Sequence, residues 1–273
     1  MDLFHDLTIS DQDFQRLVEF IQKNYGIDLS KKKTLITGRL SHALKQRGYT
    51  RFDPFLQRLF TVRDPADLEL VLNKLTTNYT YFLREKEHFT FFQNNILPEL
   101  SKKHQKDHML SIWSAGCSSG EEPYTLSIYL KEFFGDQASR WDTRVLATDI
   151  SQQALAKAQL GVYEPPADMP EQWLKRYFIR QDSSGKYMVA PPIRKNVIFR
   201  SFNLMDPIAF RLKFDVIFCR NVMIYFNQET RDGLVGRFCN ALNPGGYLFV
   251  SHSESLGQNP LFRLVAPSVY QKK

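Results

Sequence analysis

The sequence predicts a two-part chain of mixed α/β class: a small all-α helical domain, then a doubly wound, largely parallel sheet domain with a small antiparallel β-subdomain inserted in it. Three observations predict this. Up to residue 106 the apolar residues recur at helical spacing. From Met109 onward, short runs rich in β-branched and aromatic residues alternate with helical patterns. Between Gly161 and Asn196 a two-stranded pattern breaks that alternation. The expected divisions are residues 1–76, a linking segment at 77–108, and a sheet domain at 109–273 with the insertion at about 162–195.

Each element has its own justification. Ser10 can cap a helix whose core face is Phe14, Leu17, Val18 and Ile21, and Gly26 ends it. In 34–46, Ile36, Leu40, Ala43 and Leu44 make one apolar stripe, and Gly48 stops the helix. Pro54 starts a helix at 53–60, and Asp64-Pro65 opens another through Leu68, Val71, Leu72 and Leu75. A Phe- and Lys-rich helical stretch fills 78–106. Strands are expected at 110–115, 144–149, 196–202, 214–219 and 246–250, the last entered through a tight turn at Asn243-Pro-Gly-Gly246. Helices are expected at 123–134, from Ser151 to Gly161, and at 229–242. The inserted hairpin pairs 177–180 with 186–189 around Gln181-Asp-Ser-Ser-Gly185.

Composition narrows the class. The chain has 273 residues, 43% hydrophobic and 24% charged, which excludes wholesale disorder. No apolar run approaches the ~18 residues that would cross a bilayer. The segment Met1-Asp-Leu-Phe-His-Asp6 carries acids where an export signal carries bases, so a cytoplasmic protein is expected. Cys117, Cys219 and Cys239 cannot all pair and have no CxxC spacing, which argues against a disulfide scaffold or a zinc finger, and no metal site is expected. Cys117 and Cys219 leave neighbouring strands; buried inert thiols and thiols at a ligand cleft are both compatible with that.

The net charge is +7, and residues 31–51 hold seven bases and no acid. Arg39, His42 and Lys45 follow each other at i, i+3 and i+6 beside the apolar stripe. A solvated helix face and a docking surface for nucleic acid, anionic lipid or an acidic protein both fit this pattern. No aromatic residues interleave the bases as stacking platforms, which weakens the single-stranded nucleic-acid option.

Open α/β sheets bind ligands where strands end. The first exit, Ala115-Gly-Cys-Ser-Ser-Gly-Glu-Glu-Pro123, places Glu121 and Glu122 where a phosphate loop would place Lys and Ser or Thr. Two carboxylates there disfavour a pyrophosphate and suit a cationic or neutral group. Asp149 ends the next strand, where an acid accepts hydrogen bonds from ribose hydroxyls. Asn203-Leu204, Cys219-Arg220-Asn221-Val222 and Ser251-His-Ser-Glu-Ser255 leave the remaining ends. An Arg and an Asn leaving an apolar strand need partners.

These stretches together, with Thr76-Thr-Asn-Tyr-Thr-Tyr-Phe-Leu-Arg84, Ala147-Thr-Asp-Ile150 and Leu242-Asn-Pro-Gly-Gly-Tyr-Leu-Phe249, resemble the CheR family of S-adenosylmethionine-dependent protein-glutamate O-methyltransferases over nearly the whole chain. The resemblance implies a Rossmann-like methyltransferase domain behind a helical receptor-docking domain. It implies cofactor contacts at Asn78, Thr80 and Arg84, with Arg84 facing the methionine carboxylate, and at Glu122. It places Asp149 on the ribose and Asn203 and Leu204 on the adenine. Arg220, Asn221 and Tyr225 fall beside the transferable methyl, with Arg220 and Tyr225 in the catalytic roles. Lys32, Arg39, His42 and Lys45 would dock the substrate, a chemoreceptor's acidic cytoplasmic helical bundle. S-adenosylhomocysteine would be the product. A monomer recruited to receptor arrays is implied, without nucleic-acid partner or membrane insertion.

Glutamate at neutral pH is already an anionic nucleophile (pKa ~4.3), so no general base is needed and His252 and Glu254 are expected to be structural or rim residues. The rivals are a methyltransferase of another, chemotaxis-like array, a non-catalytic cofactor-binding module and a nucleic-acid methyltransferase. The Asn/Asp-Pro-Pro-aromatic motif of base-amino methylases is replaced here by Cys219-Arg-Asn-Val222. Members of the family that grip a receptor's terminal pentapeptide resemble one another in a Gly-x-Gly-x-x-Gly turn. The single glycine of 181–185 implies that no such tether is needed.

Overall fold

A computed structural model describes residues 7–76, 78–181 and 184–273. The acidic N-terminal segment 1–6, Thr77, and Asp182 and Ser183 of the expected hairpin turn lie outside the described residues. The chain divides into two compact units: one running to Asn78 and including Tyr225–Thr230, the other holding Tyr79–Ile224 and Arg231–Lys273.

The first unit is helical. In α1 (Asp11–Tyr25) the Ser10 hydroxyl accepts the Asp13 N–H at 3.0 Å, and Gly26 stops the helix in a left-handed turn at φ 73°. α2 (Lys33–Gln46) buries Ile36, Leu40, Ala43 and Leu44, together with Ser41. α3 (Phe52–Thr61) buries Phe52, Phe55, Leu56 and Leu59. α4 (Pro65–Leu75) starts with the Asp64 carboxylate accepting the Ala66 N–H at 2.8 Å. Its buried face differs from the apolar stripe in one place: Leu68 is half-buried and Asp67 is buried instead. The reason is electrostatic, since Asp67 receives Arg47 at 2.6 Å and Arg58 at 2.9 Å. The segment at 225–230 joins this unit through a bridge between Ile27 and Phe226 and a 2.8 Å bond from the Asp28 N–H to the Tyr225 carbonyl.

The second unit opens with α5 (Lys86–Phe91), a π-turn (Phe92–Ile96) and α6 (Leu97–Lys103), where one long helical stretch was expected. Then follow β1 (Ile112–Ala115), α7 (Glu121–Phe134), β2 (Val145–Asp149) and α8 (Gln152–Leu160). The insertion comprises β3 (Val162–Tyr163), α9 (Glu171–Tyr177), β4 (Phe178–Arg180), β5 (Tyr187–Val189) and α10 (Pro191–Lys195). The fold then resumes with β6 (Val197–Ser201), β7 (Phe214–Phe218), α11 (Gln228–Ala241), β8 (Leu242–Phe249), β9 (Phe262–Ala266) and β10 (Val269–Lys272).

The main sheet has seven strands in the order β6-β2-β1-β7-β8-β10-β9. The first five are parallel, and β10 runs antiparallel to both its neighbours. The chain goes to one side of β1 for β2 and β6 and returns to the other for β7, so a topological switch point lies at the carboxyl ends of β1 and β7. The insertion is a separate three-stranded antiparallel sheet, β3-β5-β4. Its third strand, β3, was not expected. Residues 243–246 are not a turn: they belong to β8, where a register shift against β7 and a left-handed Gly245 (φ 72°) mark a bulge. The last dozen residues supply two further strands, β9 and β10, for which no element was expected.

Aromatic rings fill the space around the sheet. Trp113 is fully buried among Phe202, Phe210, Phe214 and Phe238, and its indole N–H donates to the Thr148 hydroxyl at 2.9 Å. Phe218 and Phe249 stack at 4.2 Å, and Phe89 of α5 stacks on Phe218 at 6.0 Å. These contacts anchor the linking helix to the exit side of β7.

Candidate active site

Two glycines bound the loop after β1 where no side chain fits. Gly116 is left-handed (φ 83°), and a Cβ there would collide with the Val222 side chain. At Gly120 (φ 96°) a Cβ would lie 2.8 Å from the Ala158 Cβ. Between them Ser118 adopts φ 49°, a conformation costing a non-glycine residue roughly 1–2 kcal/mol. Asp149 offsets that strain: its carboxylate accepts the Ser118 N–H at 2.8 Å and the Ser151 N–H at 2.9 Å. Burial pushes the Asp149 carboxyl above the usual carboxylate range, and the backbone N–H groups around it pull the other way.

The second feature is an ion cluster around Arg220. This arginine is 6% exposed. Its Nη1 donates to Glu122 at 2.9 Å, and its Nη2 donates to Glu85 at 3.1 Å and to the Arg84 carbonyl. The other Glu122 oxygen accepts the Ser114 hydroxyl at 2.7 Å, and the guanidinium lies 5.2 Å from the Phe89 ring centre. Only Arg220 Nε has no partner among the described residues. One cation between two carboxylates leaves this corner negative. Glu121, buried beside the same loop and bonded by the Ser119 hydroxyl at 2.7 Å, has its pKa raised by burial.

Arg84 sits between two left-handed residues, Leu83 (φ 61°) and Glu85 (φ 54°). Its guanidinium donates to the Tyr79 carbonyl at 2.9 Å and lies about 6 Å from the Tyr79 and Tyr81 rings (6.0 and 5.8 Å). Strain held on both sides of one arginine is typical of functional turns. Thr80 is half-buried on the same segment. Asn203 closes a turn by accepting the Met205 N–H at 3.0 Å, and the carbonyl of the buried Leu204 accepts Arg237 at 2.7 Å. Asn221 is left-handed (φ 60°), and Glu254 accepts its N–H at 3.0 Å. Asn78 and Tyr225 fall in the helical unit; there the Lys32 ammonium lies 5.4 Å from the centre of the Tyr225 ring.

Sequence reasoning missed Glu85 and His88, and it named Glu254 only as a structural or rim residue; that side chain is buried and holds backbone amides. Glu85 directly follows the Arg84 singled out above, and a charge at the head of a Phe-rich helix was the available signal. His88 is buried, and burial followed by the Arg220 charge lowers its pKa to about 4. Glu85, His88 and the exposed His252 place ligand-type atoms within 4.8 Å of one another. The Arg220 guanidinium already donates to the Glu85 carboxylate there, which opposes a metal ion electrostatically. Cys117 and Cys219 are buried, and desolvation raises both thiols well above their ordinary pKa, so the structure favours inert thiols.

On and beside α2 the seven bases and His42 divide. Lys33 pairs with Asp11, Arg47 with buried Asp67, and Arg39 donates to the Lys74 carbonyl at 3.2 Å. Lys31, His42 and Arg51 are exposed, and Lys32 and Lys45 half-buried.

A glycine-bounded, acid-flanked loop at the switch point and an acid at the end of the second strand are the arrangement of an S-adenosylmethionine-dependent methyltransferase. Residues 78–270 match the CheR methyltransferase SAM-binding domain and residues 12–76 the CheR all-alpha domain; the chain belongs to the CheR methyltransferase family. It is 39% identical to the chemotaxis protein methyltransferase of Borreliella burgdorferi, over 98% of this chain and 96% of that one. It is 37% identical to chemotaxis protein methyltransferase 1 of Pseudomonas aeruginosa (93% and 94% covered). Identity to the Escherichia coli chemotaxis protein methyltransferase is 34% (97% and 92% covered). The residues present fit the cofactor. The acid excess around Arg220 suits a ligand carrying sulfonium and ammonium charges.

Proposed function

We propose that this protein transfers methyl groups from S-adenosylmethionine to glutamate side chains of chemoreceptor cytoplasmic helical bundles. The single observation that carries the reading is the Arg220 cluster, an anionic, buried corner at the sheet's switch point. When bound, the cofactor supplies an electrophilic methyl on a sulfonium. Asp149 would hold the ribose, Asn203 and Leu204 the adenine, and Thr80, Arg84 and Glu122 the amino-acid end. Arg220 and Asn221 would lie nearest the reacting carboxylate; the places of Asn78 and Tyr225 rest on the family resemblance alone.

The chemistry asks little of the side chains. The attacking carboxylate is already ionised, so the site must desolvate and align it without removing a proton. Arg220 spends two of its nitrogens on Glu122, Glu85 and the Arg84 carbonyl, and a cation neutralised in this way can lie beside the nucleophile without quenching it. Base-labile labelling of receptor glutamates with radiolabelled cofactor is the expected result. Labelled nucleic acid, or no labelled receptor, would overturn the reading.

Lys32, Arg39, His42 and Lys45 on and beside α2 support docking to an acidic bundle, with Arg47 assigned to the fold instead. Methylation at subsaturating receptor should fall as salt rises past ~0.1 M, where the Debye length drops to ~10 Å, while cofactor affinity holds. Arg39→Glu should mimic high salt. Equal loss of both activities would indicate misfolding.

The protein is read as a cytoplasmic monomer recruited to arrays through this docking; no described helix is long and apolar enough to cross a membrane. It should not need a receptor tail. The exposed edge strand β4 is three residues long and offers a guest strand few main-chain bonds. Fluorescence anisotropy with a tethering receptor's terminal pentapeptide should show no low-micromolar binding, alongside full methylation of an untailed receptor. Low-micromolar binding would overturn this.

A further inference from the structure

We infer that Glu254 is a positioning residue: it fixes the loop carrying Arg220 and Asn221 in the conformation that methyl transfer uses. The inference rests on the active-site reading above and adds a residue to it. Glu254 is 5% exposed, and its carboxylate collects N–H groups from two different strand exits. One oxygen accepts Asn221 at 3.0 Å and Ser251 at 2.8 Å; the other accepts Ile224 at 3.0 Å. The Glu254 N–H donates back to the Ser251 carbonyl at 2.9 Å, which folds the side chain over its own turn. The loop after β7 is thus tied to the loop after β8 through one carboxylate.

Three features separate this from ordinary loop packing. A buried carboxylate with no ion-pair partner among the described residues is unfavourable unless backbone dipoles satisfy it, and here three do. The anchored residue, Asn221, is left-handed, so the loop would otherwise relax toward an unstrained conformation and carry Arg220 with it. With both oxygens occupied by amides, Glu254 is spent as an acceptor and unsuited to act as a base. Its contribution is to geometry.

The test compares Glu254→Gln and Glu254→Ala in the full chain. Glutamine keeps one acceptor oxygen and turns an NH2 toward at least one loop N–H; alanine loses all three bonds. At saturating cofactor and receptor, kcat should fall between ~10-fold and ~100-fold for Glu254→Gln and further for Glu254→Ala, the scale of a small misplacement near reacting atoms. Affinity for S-adenosylhomocysteine, by calorimetry, should change less than kcat. Amide hydrogen exchange should quicken within 219–224 and 251–254 and stay unchanged in β1 and β2. Unchanged exchange in 219–224, exchange rising across the whole sheet, or a kcat loss no larger than the loss of folded protein would overturn the role. If the wild-type protein methylates no receptor, the functional reading fails, and the exchange pattern still decides whether Glu254 holds the loop.

Discussion

Replacing Arg220 with alanine should lower the melting temperature by about 6–12 °C and abolish methyl transfer. The Glu85 and Glu122 side chains are 16% and 13% exposed, and without Arg220 they face each other unpaired. Breaking such a buried pair on one side costs ~3 kcal/mol or more, and each kcal/mol moves a domain of this size by about 2–4 °C. Calorimetric melting checks the value. Arg220→Met combined with Glu85→Gln and Glu122→Gln should regain much of the stability while staying inactive, because the stranded charges are gone and the guanidinium is still missing. A single alanine variant melting within ~2 °C of wild type would show that the cluster does not hold the loops.

Asp149→Ala should weaken cofactor binding by at least tenfold, on the order of 1.4 kcal/mol, with ~100-fold within range because the carboxylate does two jobs. It is the proposed ribose acceptor, and it also holds the Ser118 and Ser151 amides. Each hydrogen bond to a charged group contributes about 1.5–3 kcal/mol. Asp149→Asn keeps one acceptor and should fall between. Calorimetry with S-adenosylhomocysteine reads both variants, and an unchanged Kd would remove Asp149 from the site.

How much of this was legible depends on distance along the chain. Local rules sufficed for α1, where Ser10 and Gly26 cap an unmistakable stripe, and for β1 and β2, whose runs admit no other reading. They failed at β3, whose two residues are too short for a pattern, and at β10, whose place between β8 and β9 is decided by sheet pairing. The π-turn inside the linking segment leaves no periodic trace, since one register slip is lost among apolar residues at every spacing. The site follows the same logic. Glycine loop and Asp149 are marked by position at strand ends. The Arg220 partners lie 98 and 135 residues away, and only tertiary packing could name them. Charge counting likewise saw seven bases near α2 but not that Arg47 is committed to a buried Asp67.

The order of the last strands constrains how the protein can be made. β9 is synthesised before β10 yet pairs with β10 alone, while β10 takes the middle position against β8. On a ribosome, β9 therefore emerges with no strand to join and must wait until Val269–Lys272 clears the exit tunnel. Closure of that edge is sealed late as well, when the Lys272 ammonium reaches the Cys239 and Leu242 carbonyls at 2.6 and 2.9 Å. Until then the nascent chain presents the flank of β8 as an unpaired strand edge, the form in which a β-rich intermediate is most prone to associate with its neighbours.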